Sequence, residues 1–228
     1  MEPGLGQQAR YLAVIGDIAG SRRFDRPARA EIGGDISGLI AHWNTDPRVA
    51  AAFVISRGDE FEGLLHVPEM LTRILWDLAT VIPHVALRLG VGVGEIYTPL
   101  VPETSDEVDG PVYHRARRAI ESAATAGHLG GDFVGFGEPW DSSLGAIARA
   151  LYAQRAGWTA AQRTVAMSLH EGQEQIRIAE QLGVTRQNIS KHASAAGWQV
   201  HADLEAAFAD LLQSAWAVAP RLRLEETS

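Results

Sequence analysis

The sequence predicts an α+β fold: a ferredoxin-like sheet domain followed by a small all-α helix-turn-helix domain. Two observations carry this. Over roughly the first 126 residues, strand-like and amphipathic runs follow the order strand, helix, strand, strand, helix, strand, which is the split βαβ arrangement. Beyond about residue 157 only helical patterns follow, and one of them has helix-turn-helix spacing. The expected domains are therefore 1–157 and 158–228, with the boundary near Gly157.

"RYLAVIGD" is a strand ending near Asp17, with Gly20 and Ser21 close behind. "RPARAEIGGDISGLIAHWN" reads as a helix weakened by its paired glycines. "AAFVISRGDEFEGLL" is a hairpin, two strands around Gly58 and Asp59. "VPEMLTRILWDLATVI" is amphipathic, with Pro68 near its first turn and Pro83 after its end. "HVALRLGVGVGEI" alternates and is rich in Val and Leu, so it is a strand running to about Ile96. An acidic, proline-containing loop over 97–109, a helix over 111–126 and a Gly-rich stretch over 127–137 complete the first domain. The helix "SSLGAIARALYAQRAG" leads to its end.

Composition narrows the function classes. A content of 46% hydrophobic and 21% charged residues argues against a disordered chain. The absence of cysteine excludes disulfides, thiolate metal sites and a Cys nucleophile, and agrees with a reducing cytoplasm. No secretory signal is recognisable, and no apolar run approaches the roughly 20 residues that span a bilayer, so a cytoplasmic protein without membrane contact is expected. A net charge of -8 opposes wholesale coating by nucleic acid but permits a local basic face.

In this strand order the first strand ends at the same edge as the turn joining the second and third. Asp17 and Asp59 are expected to meet there. Two converging carboxylates repel unless protonated or bridged by a cation, and their hard oxygens suit Mg²⁺ or Mn²⁺ carrying a nucleoside triphosphate. In "GDIAGSRR" the residues Gly16, Gly20 and Ser21 can present backbone N–H groups to phosphate, with Arg22 and Arg23 just beyond. Ordinary turn chemistry accounts for each acid taken singly, and Glu60 reads as a turn neighbour.

"GDIAGS", "SRGDEFEGLL", "LRLGVGVGEI" and "DGPVYHRARRAI" resemble, in this order, motifs of the class III nucleotidyl cyclases. Their whole run resembles the bacterial SatD family, which carries a cyclase-like domain, over about residues 10–126. The hairpin is also similar to the GGDEF turn of diguanylate cyclases, with Arg57 in place of the first glycine. The resemblance implies Asp17 and Asp59 as metal ligands and Arg118 as a transition-state residue, with Arg115 alongside it near the phosphates. His114, a candidate general acid or base, stands at the position of the family's Asn, and Ile55 replaces the base-reading Lys. The acidic partner in base reading falls near Glu107, with Asp109 as a rival. These departures bear on catalysis more than on binding. The resemblance further implies a head-to-tail homodimer, the Arg115, Arg117 and Arg118 helix facing the metal pair of the second protomer.

In "QEQIRIAEQLGVTRQNISKHASAAGW", Ile176, Ala179 and Leu182 are expected to form an apolar face, with a turn at Gly183 and Val184. Thr185 should cap a second helix with Ile189 inward. "TAAQRTVAMSLHEG" supplies a third helix, and the module resembles those of bacterial regulators. Thr185, Arg186, Gln187, Asn188 and Lys191 would face double-stranded DNA, since Arg pairs with guanine while Gln and Asn pair with adenine. "HADLEAAFADLLQSAWAVA" is a packing or dimerisation helix. The expected function is a DNA-binding transcriptional regulator whose first domain binds a purine nucleotide with Mg²⁺. The alternatives are an active cyclase acting on ATP or GTP, and a regulator whose first domain is only a dimerisation scaffold.

Overall fold

The computed structural model describes residues 9–57, 60–98, 100 and 104–219. Among these residues the fold is mixed α+β, with a five-stranded mixed sheet and eight α-helices. The strands are β1 (Tyr11–Ile18), β2 (Val49–Arg57), β3 (Glu60–Leu65), β4 (Leu87–Gly94) and β5 (Gly130–Val134), in the spatial order β2-β3-β1-β4-β5. β3 returns between β1 and β2, antiparallel to both, as expected. β4 is antiparallel to β1, and β5 joins β4 in parallel. No strand was expected in the Gly-rich stretch that contains β5. Two of its five residues are glycine, so its apolar alternation is too short to read.

β1 is central and covered on both faces, which explains its nearly unbroken apolar run. Leu12, Val14 and Ile18 join a core with α1 (Arg26–Trp43), α2 (Glu69–Val81), α4 (Trp140–Ala156) and α8 (Trp198–Val218). Tyr11, Ala13 and Ile15 face the other way, onto α3 (Pro111–Ala126). The glycines of "LGVGVG" serve this second face. A Cβ at Gly90 would lie 2.3 Å from the Ala116 carbonyl oxygen, and one at Gly92 would lie 2.2 Å from that of Val112. The alternate residues Leu89, Val91 and Val93 fill the opposite core.

α1 forms despite Gly33, Gly34 and Gly38. Asp25 caps it through a 2.9 Å bond from the Ala28 amide, and Ile32, Ile36, Leu39, Ile40 and Trp43 are buried. Tertiary burial here outweighs a poor intrinsic propensity. Trp43 Nε1 donates to Asp77 Oδ2 at 2.9 Å and so ties α1 to α2.

α5 (Ala160–His170), α6 (Gln175–Leu182) and α7 (Arg186–Ala195) pack around Val165, Ile178, Ala179, Ile189 and Ala193. α8 then returns to the sheet, where Phe208, Leu212 and Ala215 enter the main core beside Phe133. Arg10 lies over the Trp216 ring at 4.0 Å and donates to the carbonyls of Trp216 and Ala219, a cation at the C-terminus of that helix. Among the described residues no helix is long and apolar enough to cross a membrane.

Candidate functional site

Asp17 sits on the α3 side of β1, directly opposite Arg88 of β4, whose Nε donates to Asp17 Oδ1 at 2.9 Å. Asp59 lies outside the described residues; the flanking strands end at Arg57 and begin at Glu60. Glu60 is more than a turn neighbour. Arg117 of α3 donates to both of its carboxylate oxygens, at 2.5 and 2.8 Å, and approaches Glu62 at 3.8 Å. The bond to Glu60 raises the Arg117 pKa further, against the effect of burial. Glu60 and Glu62 are two apart on one strand, so they share a face. That alternation is the signal by which sequence could have found the pair.

The remaining candidates of the first domain are dispersed. Gly16 is covered by Phe61, and a Cβ there would fall 2.1 Å from that ring, so the glycine makes room for the aromatic. Gly20, exposed with φ 74°, leads into the short turn Ser21–Arg23. Arg115 donates to the Val93 carbonyl at 2.5 Å, and Arg118 is exposed. His114 is exposed and lies 3.7 Å from Asp109; Glu107 is also exposed. Val93 and Arg88 are five residues apart on β4, about 17 Å along the strand. One chain therefore does not bring Arg115 to Asp17. Among the described residues no three His, Asp or Glu side chains converge as metal ligands.

In the helical part, Thr185 Oγ1 accepts from the Asn188 amide at 3.2 Å and caps α7 after a left-handed Gly183. Ile189 and Ala193 point inward, while Arg186, Gln187, Asn188 and Lys191 are all exposed. The apolar face of α6 differs from the expected one. Ile178 and Ala179 are buried, whereas Ile176 is 51% and Leu182 46% exposed. α6 buries only the stripe that α5 and α7 cover.

A second polar cluster was missed by sequence reasoning. Arg155 of α4, 2% exposed, donates to His201 Nε2 at 2.9 Å, to the Leu75 carbonyl at 3.0 Å and to Glu205 Oε1 at 2.7 Å. Since His201 Nε2 accepts, its proton sits on Nδ1, 3.1 Å from Gln154 Oε1. Gln154 in turn donates to the carbonyls of Ala196 and Gly197. Trp76, Trp158 and Trp198 enclose the group, and His170 stacks on Trp76 at 3.7 Å. Burial, with the Arg155 charge second, lowers His201 to about 4; burial lowers Arg155 to about 10 against the pull of Glu205. Burial raises the Glu205 carboxyl, but His170 and Arg155 hold it below its usual value overall. A signal existed: Arg155 follows Leu144, Ala148 and Leu151 on the buried stripe of α4, and His201 and Glu205 precede Phe208 and Leu212 on that of α8.

One family model, described as the SatD family, matches residues 11–212 of this chain. The chain belongs to the SatD family. No curated protein gives a significant match to this SatD chain. Among solved structures, a Regulator of Polyketide Synthase Expression from Bifidobacterium adolescentis is similar at 16% identity. The match covers 94% of this chain and 82% of that one, with a TM-score of 0.24. That score is too low to relate the two folds.

Proposed function

We propose that this SatD-family chain is a cytoplasmic DNA-binding transcriptional regulator that acts as a homodimer. On this reading a ferredoxin-like, cyclase-like domain to about residue 157 binds a purine nucleotide with Mg²⁺, and residues from 158 carry a helix-turn-helix module. The observation that carries the proposal is the surface of α7. Thr185 caps the helix and Ile189 anchors it. Four residues able to contact bases and phosphates, Arg186, Gln187, Asn188 and Lys191, stand together in solvent.

The nucleotide half rests on chemistry at the end of β1. Asp17 offers hard oxygens, and Mg²⁺ is commonly held by one or two carboxylates together with phosphates. Asp17 and Asp59 would be those carboxylates, and the ion would compete with Arg88 for Asp17. Arg118 is exposed and forms no ion pair among the described residues, which fits presentation to a second protomer. Cyclisation, the second reading, would need that protomer's Arg115 and Arg118, since Arg115 of the same chain is held at Val93, away from Asp17.

Calorimetry with Mg·ATP and Mg·GTP tests the nucleotide half. Wild-type protein should bind one of them in a Mg²⁺-dependent way, and Asp17→Asn should weaken binding at least tenfold. Equal binding with and without Mg²⁺, or none, would overturn it. Mass spectrometry of the same mixtures separates binding from turnover, because a cyclic product dependent on Asp17 would make the chain an enzyme.

A further inference from the structure

We propose that the cavity between α1 and the β2–β3 hairpin is a binding site for a small anion with an apolar body, of the medium-chain monocarboxylate class. The cavity has a volume of about 220 Å³ and is walled by Ile18, Phe24, Ile32, Ile36, Ile55 and Phe61. Its polar lining is confined to Ser21, Arg29 and Glu60. Ile18 and Phe61 belong to the α1 side of the sheet, whereas Asp17, Glu62 and Arg117 lie on the α3 side. The cavity is thus separate from the proposed nucleotide region, touching it only through Ser21 and Glu60 at the sheet edge.

Three features point to a ligand of this class. Arg29 lines the cavity, and Arg22, Arg23 and Arg26 are close in sequence; all four are exposed and none forms an ion pair among the described residues. The Glu60 carboxylate is engaged by Arg117 of α3, on the face of the sheet away from the cavity, and so offers little repulsion to an incoming anion. The third feature is Gly33. Glycine inside a helix is destabilising relative to alanine, yet a Cβ at Gly33 would meet nothing within 4 Å. Packing gives no reason for the missing side chain, and Gly33 borders the cavity, which a larger residue would fill.

The chemistry selects the ligand. No Asn or Gln is among the lining residues to read the edge of a base, and the walls are largely aliphatic and aromatic. A single arginine favours a planar carboxylate that it can meet with two hydrogen bonds. The volume lies below the roughly 300–1,000 Å³ usual for drug-sized ligands, so the body is short. Ile55, 43% exposed, would be covered by such a body.

Calorimetric titration of the full chain with octanoate and, in parallel, octanol tests the proposal. Octanoate should bind one per chain and octanol at least tenfold more weakly. Arg29→Gln should weaken octanoate about tenfold and leave octanol unchanged, because it removes one charge-assisted contact. Gly33→Leu should abolish binding of both with an unchanged circular dichroism spectrum. Mg·ATP binding, if present, should survive Gly33→Leu, which separates this site from the nucleotide proposal. Absence of octanoate binding, equal affinity for octanol, or full affinity in Gly33→Leu would overturn the inference. So would loss of Mg·ATP binding in Gly33→Leu. If Gly33→Leu does not fold, Arg29→Gln in the exposed first turn decides: undiminished octanoate affinity overturns the site.

Discussion

Arg155 and Arg117 both lie on helices and both donate to a glutamate, at 2.7 and 2.8 Å, yet their surroundings are opposite. Arg155 is sealed beneath Trp76 at the junction of α2, α4 and α8, with every donor it uses matched to His201, Glu205 or a backbone oxygen. Arg117 spans from α3 to β3 with a side chain 38% exposed. A buried ion pair that loses one partner leaves an uncompensated charge, whereas an exposed pair exchanges its partner for water. The first cluster is therefore a structural joint between the sheet and the helical part. The second is an open edge, where a pair can exchange its partner at little cost in stability.

Substitutions that break one cluster and spare the other sharpen this contrast. The largest effect is expected for Arg155→Ala, which strands Glu205 and His201 in the interior; urea unfolding should show a loss of about 3–5 kcal/mol. A loss below about 1 kcal/mol would mean that the joint is not sealed.

Acid is the next lever. His201 is neutral in the folded state, with its pKa lowered to about 4 from 6.5, so the unfolded chain binds the extra proton between those values. Stability is then fully present above about pH 6.5 and falls as pH drops toward 4, by on the order of 3 kcal/mol. The lowered Glu205 acts in the same sense at the acid end, and Arg155 and His170 are the other groups facing the ring. In His201→Gln the difference between pH 7 and 4.5 should shrink by about 2 kcal/mol, read by unfolding at each pH. An unchanged difference would place the acid sensitivity elsewhere.

Arg117→Ala should cost only about 1 kcal/mol or less, because the pair is partly open to solvent. The smallest effect belongs to the double change Arg186→Ala with Lys191→Ala, within about 0.5 kcal/mol of wild type, since both side chains are exposed on α7. That variant separates stability from any binding role of the helix.

The same contrast describes what the sequence disclosed. Strands and helices with strong periodicity were legible, including β1, α2 and α3, and so was the Thr185 cap, since each is dictated by local residues. β5 was not, because a five-residue strand with two glycines gains its place only by pairing with β4. The α6 face was misread because burial there depends on α5 and α7 rather than on hydropathy alone. The carboxylate edge was partly legible: Asp17 stood out, but its partner Arg88 and the Arg117–Glu60 pair depend on register and helix placement that no local pattern contains. The Arg155 joint follows from helices far apart in sequence meeting at one point, which is why only a charged residue on an apolar stripe hinted at it.

The most direct test of the account is selection of double-stranded DNA from a random-sequence library by the purified full-length protein at near-physiological salt, followed by sequencing. A reproducible enriched motif is expected, recovered by the wild type and lost in the Arg186→Ala, Lys191→Ala variant while its folding is unchanged. Failure of the wild type to enrich any motif, or the same motif recovered by both proteins, would contradict the assignment of α7 as a recognition helix.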